Sequence, residues 1–426
     1  MIARFIVPLA LAAAAPLAAQ ATPPPAPATS PAVRDGAQAI ADALMSKRPA
    51  AEVFSAQFLA AVPPEKLTAL IGQIASQFGP LEGLDGVTPT GPVSGVIALR
   101  FGKAVYSGPF TLGPDGKIVN LLLNDYRPIG DSVEAIQRDL TALPGTAGVL
   151  YAPLDGRAPL LSVNADREFA IGSAFKLYVL AALARQVEQG TRHWDDVVHL
   201  DDQRSLPSGQ MQDWPKGAPV TLHTLATMMI SISDNTATDQ LIHLLGRETI
   251  AQELRASGHS APERTLPFLT TRELFALKAD SARGAKFASL GEDEQAVALE
   301  ALAQEITADP AHVAVPAFVT PTLIDRVEWF ASPEDLRRVL TRIVALKDAT
   351  ARQILAVRPS IAAPQRKSWG YVGFKGGSEP GVLNATWLLQ TPAGEWRVLT
   401  MSWNNPDAPL DQAQLELLTQ RILALP

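Results

Sequence analysis

Apolar positions recur along the chain with two different periods, and the changes of period mark its organisation. From about Arg34 to Gly79 they repeat every third or fourth residue, in GAQAIADALM, AEVFSAQFLAAV and PEKLTALIGQIASQF, which predicts helices. After Gly79 come short β-prone runs, GVIALRF, KAVYSGPFTL and KIVNLLLNDY, separated by Gly-Lys and Pro-Asp-Gly turn formers. Helices followed by an antiparallel meander predict a small α+β domain ending near Arg127-Pro128.

A second pattern follows. SVEAIQRDLTAL reads as a helix, and AGVLYAP and APLLSVN read as strands joined across Asp155-Gly156. The stretch from Ser173 to Gln189 is apolar on nearly every side, with Gly190 as its C-terminal stop, so it predicts a helix buried on all faces. Thr221–Ile232 and Thr236–Leu245 predict two more helices, broken at Ser233-Asp234-Asn235. A mostly helical stretch then runs to about Val357. The strands YVGFKGG, VLNATWLLQTP and EWRVLTMSW and an amphipathic helix from Leu410 to Leu423 complete the pattern. Strands at both ends with helices between them predict that the first and last segments share one sheet. The domain expectation is therefore residues 34–128 for the small unit and 129–426 for the larger one.

Composition narrows the possibilities. Apolar residues make up 47% and charged residues 19% of the 426, as in a globular chain able to bury more than one core. The formal net charge is −7 and no basic face is visible, which argues against nucleic acid as a partner. Cysteine is absent, which removes disulfides, thiolate metal sites and cysteine nucleophiles. The six histidines show no H-x-H or H-E-x-x-H spacing, so neither a metal nor a cofactor is expected. Residues 1–21 carry Arg4, an apolar run from Phe5 to Ala18 and Ala19-Gln20-Ala21, the pattern of a cleaved secretory signal. Residues 22–33 are proline-rich and read as a stiff tether. The expectation is a periplasmic or secreted protein with no stable membrane anchor after cleavage.

The chemistry starts from EFAIGSAFKLYVLAAL, which places Ser173 and Lys176 at the head of the buried helix. Residues three apart share a helix face, so hydroxyl and amine can meet there. Burial lowers an amine's pKa and fits it to take a serine proton. Read alone, the pair is equally a helix-capping serine with a lysine reaching to solvent. Two further fragments bear on it. Ser233-Asp234-Asn235 lies 60 residues downstream of Ser173 at a helix break, and Lys375-Gly376-Gly377 lies on a late strand.

Taken in order and context, these three fragments resemble the motifs of the serine β-lactamase and penicillin-binding protein superfamily. The resemblance runs from about Gly130 to the end. It implies an α+β fold: a class A β-lactamase-like domain, an antiparallel sheet flanked by helices plus an all-helical lobe. The small domain ahead of it is similar to cystatin-like or steroid-isomerase-like folds, in a two-domain arrangement resembling the β-lactamase-like proteins encoded in clavulanic-acid gene clusters.

Carried over by position, the resemblance implies catalytic roles for Ser173 as nucleophile, Lys176 as its base, Ser233 as proton relay and Lys375 as the cation that binds a substrate carboxylate. Asn235 would hold the substrate's amide side chain and brace Lys176. Gly377 and Ser378 would line the substrate, the backbone N–H groups of Ser173 and Ser378 forming an oxyanion hole. Asp234 reads as a helix cap. The implied activity is an acyl-enzyme serine hydrolase on a small-molecule ester, amide or β-lactam. The alternative is a non-hydrolytic penicillin-binding module or a sensor of cell-wall fragments.

Three departures stand out. Gly376 replaces the serine or threonine usual in the third motif, with Ser378 one pleat away on the same strand face. Ala311–Ile324, ahead of the helix start Ser332-Pro333-Glu334-Asp335-Leu336, contains no Asp or Glu, so the family's deacylating glutamate has no counterpart there; Asp325 and Glu328 are the nearest acids. The 140-residue gap from Asn235 to Lys375 is also long for the family, and Ser281–Pro310 reads as a charged helical insertion. Poor β-lactam turnover and relatively better esterase activity are the expected consequences.

Overall fold

The protein is seen in a computed structural model that describes residues 31–201, 204–206, 208–308, 319–361 and 363–425. The expected signal and most of the tether lie outside the described residues. The described residues divide into two compact units, with the boundary between Ile129 and Gly130.

In the first unit, helices α1 (Pro31–Leu44), α2 (Ala50–Val53), α3 (Ala56–Ala61) and α4 (Pro64–Phe78) precede an antiparallel sheet. The last three residues of the expected tether, Pro31–Val33, belong instead to α1. Proline is tolerated in a helix's first turn, where its missing N–H has no partner to lose. Strands β1 (Leu81–Pro89), β2 (Ser94–Phe101), β3 (Ala104–Leu112) and β4 (Ile118–Leu121) form a meander in chain order, and β5 (Asp125–Pro128) pairs back onto β3. Ile97, Leu99 and Phe101 alternate inward on β2, at the side-chain period of two, and meet the buried Val33, Ala37 and Ile40 side of α1.

The second unit opens with α5 (Val133–Thr141), capped by Ser132. Strands β6 (Thr146–Pro153) and β7 (Leu161–Val163) follow, then the two-residue β8 (Phe169–Ala170) and α6 (Lys176–Glu188). A hairpin of β9 (Val197–His199) and β10 (Pro219–Thr221) leads to helices α7 (Leu222–Ser231), α8 (Asn235–Leu245), α9 (Arg247–Ala256), α10 (Thr271–Ala279), α11 (Ser281–Ala288) and α12 (Glu292–Ala308). β11 (Phe330–Ala331) pairs with β8. Then come α13 (Pro333–Ala345), α14 (Thr350–Ala356), α15 (Ala363–Arg366), three long strands β12 (Tyr371–Glu379), β13 (Val382–Gln390) and β14 (Trp396–Asn404), and α16 (Gln412–Leu423).

The principal sheet runs β12-β13-β14-β6-β7 and is antiparallel throughout, so strands from both ends of this unit share it. It is apolar on both faces. Leu150 and Ala152 of β6 face one core with α6, α7 and α8, whereas Val149 and Tyr151 face another with α5 and α16. That double burial explains the nearly unbroken apolar runs of β13 and β14, in place of an alternating pattern. In α6 every residue from Lys176 to Ala184 is buried. A helix wrapped by neighbours on all sides needs no polar face, and a charged residue within it is conspicuous.

Candidate active site

β12 is an edge strand, and its register with β13 sets Lys375 opposite Thr386, Gly376 opposite Ala385 and Gly377 opposite Asn384. Alternation sends Lys375 and Gly377 to the α6 side of the sheet. Gly377 packs directly on the turn that carries Ser173: a Cβ there would lie 2.1 Å from the Ile171 carbonyl oxygen and 2.5 Å from the Ser173 nitrogen. Gly172 adopts φ +48°, a left-handed conformation, and a Cβ on it would lie 3.1 Å from the Ser378 nitrogen. The backbones bearing the Ser173 and Ser378 N–H groups are therefore in contact.

Ser173 itself is not inside the helix, as expected from the sequence, but in a 3-10 turn, Gly172–Phe175, from which α6 continues at Lys176. The turn is pinned by Phe175, whose ring stacks on Trp329 with centroids 3.7 Å apart. Ser173 is half-buried, and its hydroxyl has no hydrogen-bond partner among the described residues. The expected Ser173–Lys176 contact is thus replaced. The Lys176 amine donates to the Asn235 Oδ1 at 2.7 Å, the Ser233 carbonyl at 2.8 Å and the Ser233 Oγ at 3.1 Å. Being the first α-helical residue after a tight turn, Lys176 is aimed at the α7–α8 break.

That break is built for contact. α7 ends at Ser231, and Ser233 takes φ +59°, a left-handed conformation that costs a non-glycine residue about 1 kcal/mol. Its carbonyl accepts from both Lys176 and the Ser208 hydroxyl, the latter at 2.7 Å. Asp234, fully buried, caps α8 by accepting from the Ala237 N–H at 2.9 Å. Its other oxygen accepts from the Gln210 and Met211 N–H groups. Asn235 donates to the Leu206 carbonyl at 3.1 Å, which fixes its Oδ1 toward Lys176. Lys375, 3% exposed, donates to the Ser233 Oγ at 3.1 Å and to the Gly376 carbonyl. The Ser233 hydroxyl thus bridges two lysines.

The electrostatics follow from this enclosure. Burial pushes the Lys176 amine down from 10.5 to about 7, partly opposed by the negative charges of Asp239 and Asp234. Burial, and then the neighbouring Lys176, hold Lys375 well below the usual lysine value. Ser173, Ser233, Asn235, Lys375, Gly377 and Ser378 all line one cleft of about 930 Å³, against which Lys176 is packed from beneath.

Two features escaped the sequence reading. On the opposite strand face, the ring of Phe374 fills the side-chain direction of Gly376: a Cβ there would lie 2.8 Å from Phe374 Cζ. Ser378, the suggested substitute, is exposed. In addition, Glu328 and Glu379 both line the cleft, and the fully buried Lys278 amine donates to both, to Glu328 at 2.9 Å. Burial and the adjacent Glu328 raise the Glu379 carboxyl well above its usual range. No motif joins positions 278, 328 and 379, so no sequence signal announces this cluster. Residues 311–318, part of the acid-free stretch, lie outside the described residues. Among the described residues, no group of three or more His, Cys, Asp or Glu is placed to hold a metal ion, and no helix is long and apolar enough to cross a membrane.

Residues 131–315 match the Beta-lactamase enzyme family. In sequence and in fold, this unit is similar to the serine β-lactamase-like superfamily. Among curated relatives, β-lactamase AST-1 of Nocardia asteroides is 28% identical over 121 residues, covering 28% of this chain and 39% of that protein. β-Lactamase VEB-1 of Pseudomonas aeruginosa is 24% identical over 102 residues, covering 23% of this chain and 34% of that protein. The chain therefore matches well under half the length of these relatives. A solved β-lactamase of Francisella tularensis, 13% identical, superposes with a TM-score of 0.50 over 68% of this chain and 97% of its own, which shows a shared fold. The β-lactamase-like α+β fold thus agrees with the architecture expected from the motifs.

Proposed function

We propose that the protein is an exported serine hydrolase that works through an acyl-enzyme on ester or amide substrates, β-lactams among them. The observation that carries this reading is the Lys176 amine: it is buried, has a pKa of about 7, and is bonded to Ser233 and Asn235 beneath the cleft that Ser173 lines. Neutral Lys176 takes the Ser173 proton as Oγ attacks the carbonyl carbon. The backbone N–H groups of Ser173 and Ser378 receive the oxyanion. Ser233, bonded to both lysines, passes the proton to the departing group. Asn235 orients Lys176 and the substrate, Lys375 supplies positive potential, and Gly377 lets the strand lie against the turn. Hydrogen bonds of this kind commonly tighten only when substrate is bound, which accommodates the unpartnered Ser173 hydroxyl.

A second reading, a module acylated by β-lactams and slow to release them, is favoured by the carboxyl groups of the cleft. Among the described lining residues these are Glu328, Glu379 and Glu416, and the first two are tied to Lys278 while Glu416 accepts from Gln412. A carboxylate held in that way is a poor base for water. Intact-mass spectrometry after exposure to penicillin and to a small fluorophosphonate separates the possibilities. A Ser173 adduct absent from Ser173→Ala and Lys176→Ala is expected, with the penicillin adduct decaying more slowly than an acetyl adduct left by a small ester. Equal labelling of wild type and Ser173→Ala would refute both readings.

A further inference from the structure

The cleft does not stop at the sheet edge. It continues over β12 onto the opposite face, where Phe374, Leu383, Trp387 and Leu415 line a groove between the strands and α16. The register explains its character: the residues of β13 beside Phe374, Gly376 and Ser378 are Trp387, Ala385 and Leu383, all apolar. Phe374 and Trp387 lean on each other with ring centroids 4.7 Å apart, and the Phe374 ring closes over Gly376. The apolar floor is largely buried, with Leu383, Trp387 and Leu415 among the core residues, and its rim is polar: Ser360, Gln365, Gln412 and Gln420 line it together with the exposed and oppositely charged Arg358 and Glu416.

From this we infer that the groove binds the alcohol portion of the substrate, and that the preferred substrates are carboxylic esters of uncharged, apolar alcohols. The inference rests on the acyl-enzyme reading and gives it a substrate class. Direction comes from Ser233. Its hydroxyl meets both lysines, so the departing oxygen lies at that end of the site; Lys375 faces it there, and the next residue of this edge strand, Gly376, faces the groove on the other side of the sheet. A carboxylate on the leaving side would meet an aromatic ring and Ala385 where a hydroxyl would be needed to receive it, and desolvating a charge there is unfavourable. An alkyl or aryl group gains by leaving water. In the reaction the ester C–O bond breaks, Ser173 Oγ takes the acyl group, the Ser173 proton leaves on the alcohol by way of Lys176 and Ser233, and water then releases the acid.

The test is a series of acetate esters of linear alcohols, methyl to octyl, followed by acid release in a pH-stat. In wild type, kcat/KM rises about fourfold per added methylene over the first several carbons, as burial of each requires. In Gln420→Trp, where a large ring on the half-buried flank of α16 obstructs the groove, the octyl-to-methyl ratio collapses. A flat series in wild type, or an unchanged ratio in Gln420→Trp of native circular dichroism, overturns the groove. Labelling of Ser173 by a small fluorophosphonate needs no groove. If that labelling is also absent, the acyl-enzyme reading fails and the groove proposal with it; if it is present, a flat series counts against the groove alone.

Discussion

Replacing Lys176 by methionine tests the central electrostatic feature through stability. The amine has a folded-state pKa of about 7 against an ordinary 10.5. The shift is downward, so between those values the unfolded chain binds more protons than the native one, and stability rises with pH across that window. Below about pH 7 both states are protonated and the whole penalty of the buried charge is present. The difference of about 3.5 pKa units corresponds to about 5 kcal/mol between pH 6 and pH 11. Lys176→Met removes that penalty. It also strands the Asn235 Oδ1 and weakens the support of the Ser233 carbonyl, which together cost about 2–3 kcal/mol. The variant is therefore more stable than wild type by about 2 kcal/mol at pH 6 and less stable above pH 10, while unable to acylate. Urea unfolding of both proteins from pH 6 to pH 10 measures this directly. Curves that run parallel across that range would mean that Lys176 is not a neutral amine in the native state.

The same pKa sets the acylation rate: with about 90% of Lys176 neutral at pH 8 and about 1% at pH 5, fluorophosphonate labelling slows by roughly two orders of magnitude over that span, and a profile flat from pH 5 to pH 8 contradicts the assignment. Gly377→Ala forces a methyl into the Ile171 carbonyl and the Ser173 nitrogen, so labelling of Ser173 drops at least a hundredfold and the thermal midpoint falls; wild-type rates would show that strand and turn are not in contact. Asp234→Ala leaves the Ala237, Gln210 and Met211 N–H groups without their acceptor and destabilises the unit by about 3 kcal/mol, read from denaturant midpoints; a loss under 1 kcal/mol would argue that Asp234 is not the buried cap seen here.

Much of this site could be read from one-dimensional spacing because its parts are local. The Ser173–Lys176 interval, the Ser233-Asp234-Asn235 break and the Lys375-Gly376-Gly377 strand are each short segments whose chemistry is concentrated within three or four residues. The cap on α8 was visible because Asp before a helix has one dominant use. What spacing could not supply was geometry fixed from far away. Whether Ser173 starts a helix or stands in a 3-10 turn depends on Trp329 stacking beneath Phe175, a partner more than 150 residues away. Whether Lys176 meets Ser173 or Ser233 depends on that same turn. The Lys278–Glu328–Glu379 cluster joins a helix, a loop and a strand edge, and no periodicity in any one of them carries the others.

Gly376 shows how such distant contacts change a chemical conclusion. From the sequence it is a missing hydroxyl, a gap for Ser378 to fill from the next pleat. In the structure there is no gap, because the Phe374 ring covers the glycine and leans on Trp387 across the strands. Restoring a hydroxyl there by Gly376→Thr would therefore not restore carboxylate binding without also displacing the ring, and displacing the ring would open the apolar floor of the groove. The two lysines point the same way. Lys176 is depressed by burial, and Lys375 by burial and by Lys176, so the cleft offers less standing positive charge than its sequence suggests. A site so arranged gains less from an anionic substrate than from a neutral one that arrives with an apolar leaving group. The apolar groove and the burial-depressed amines, fixed by different parts of the fold, thus favour the same class of ester.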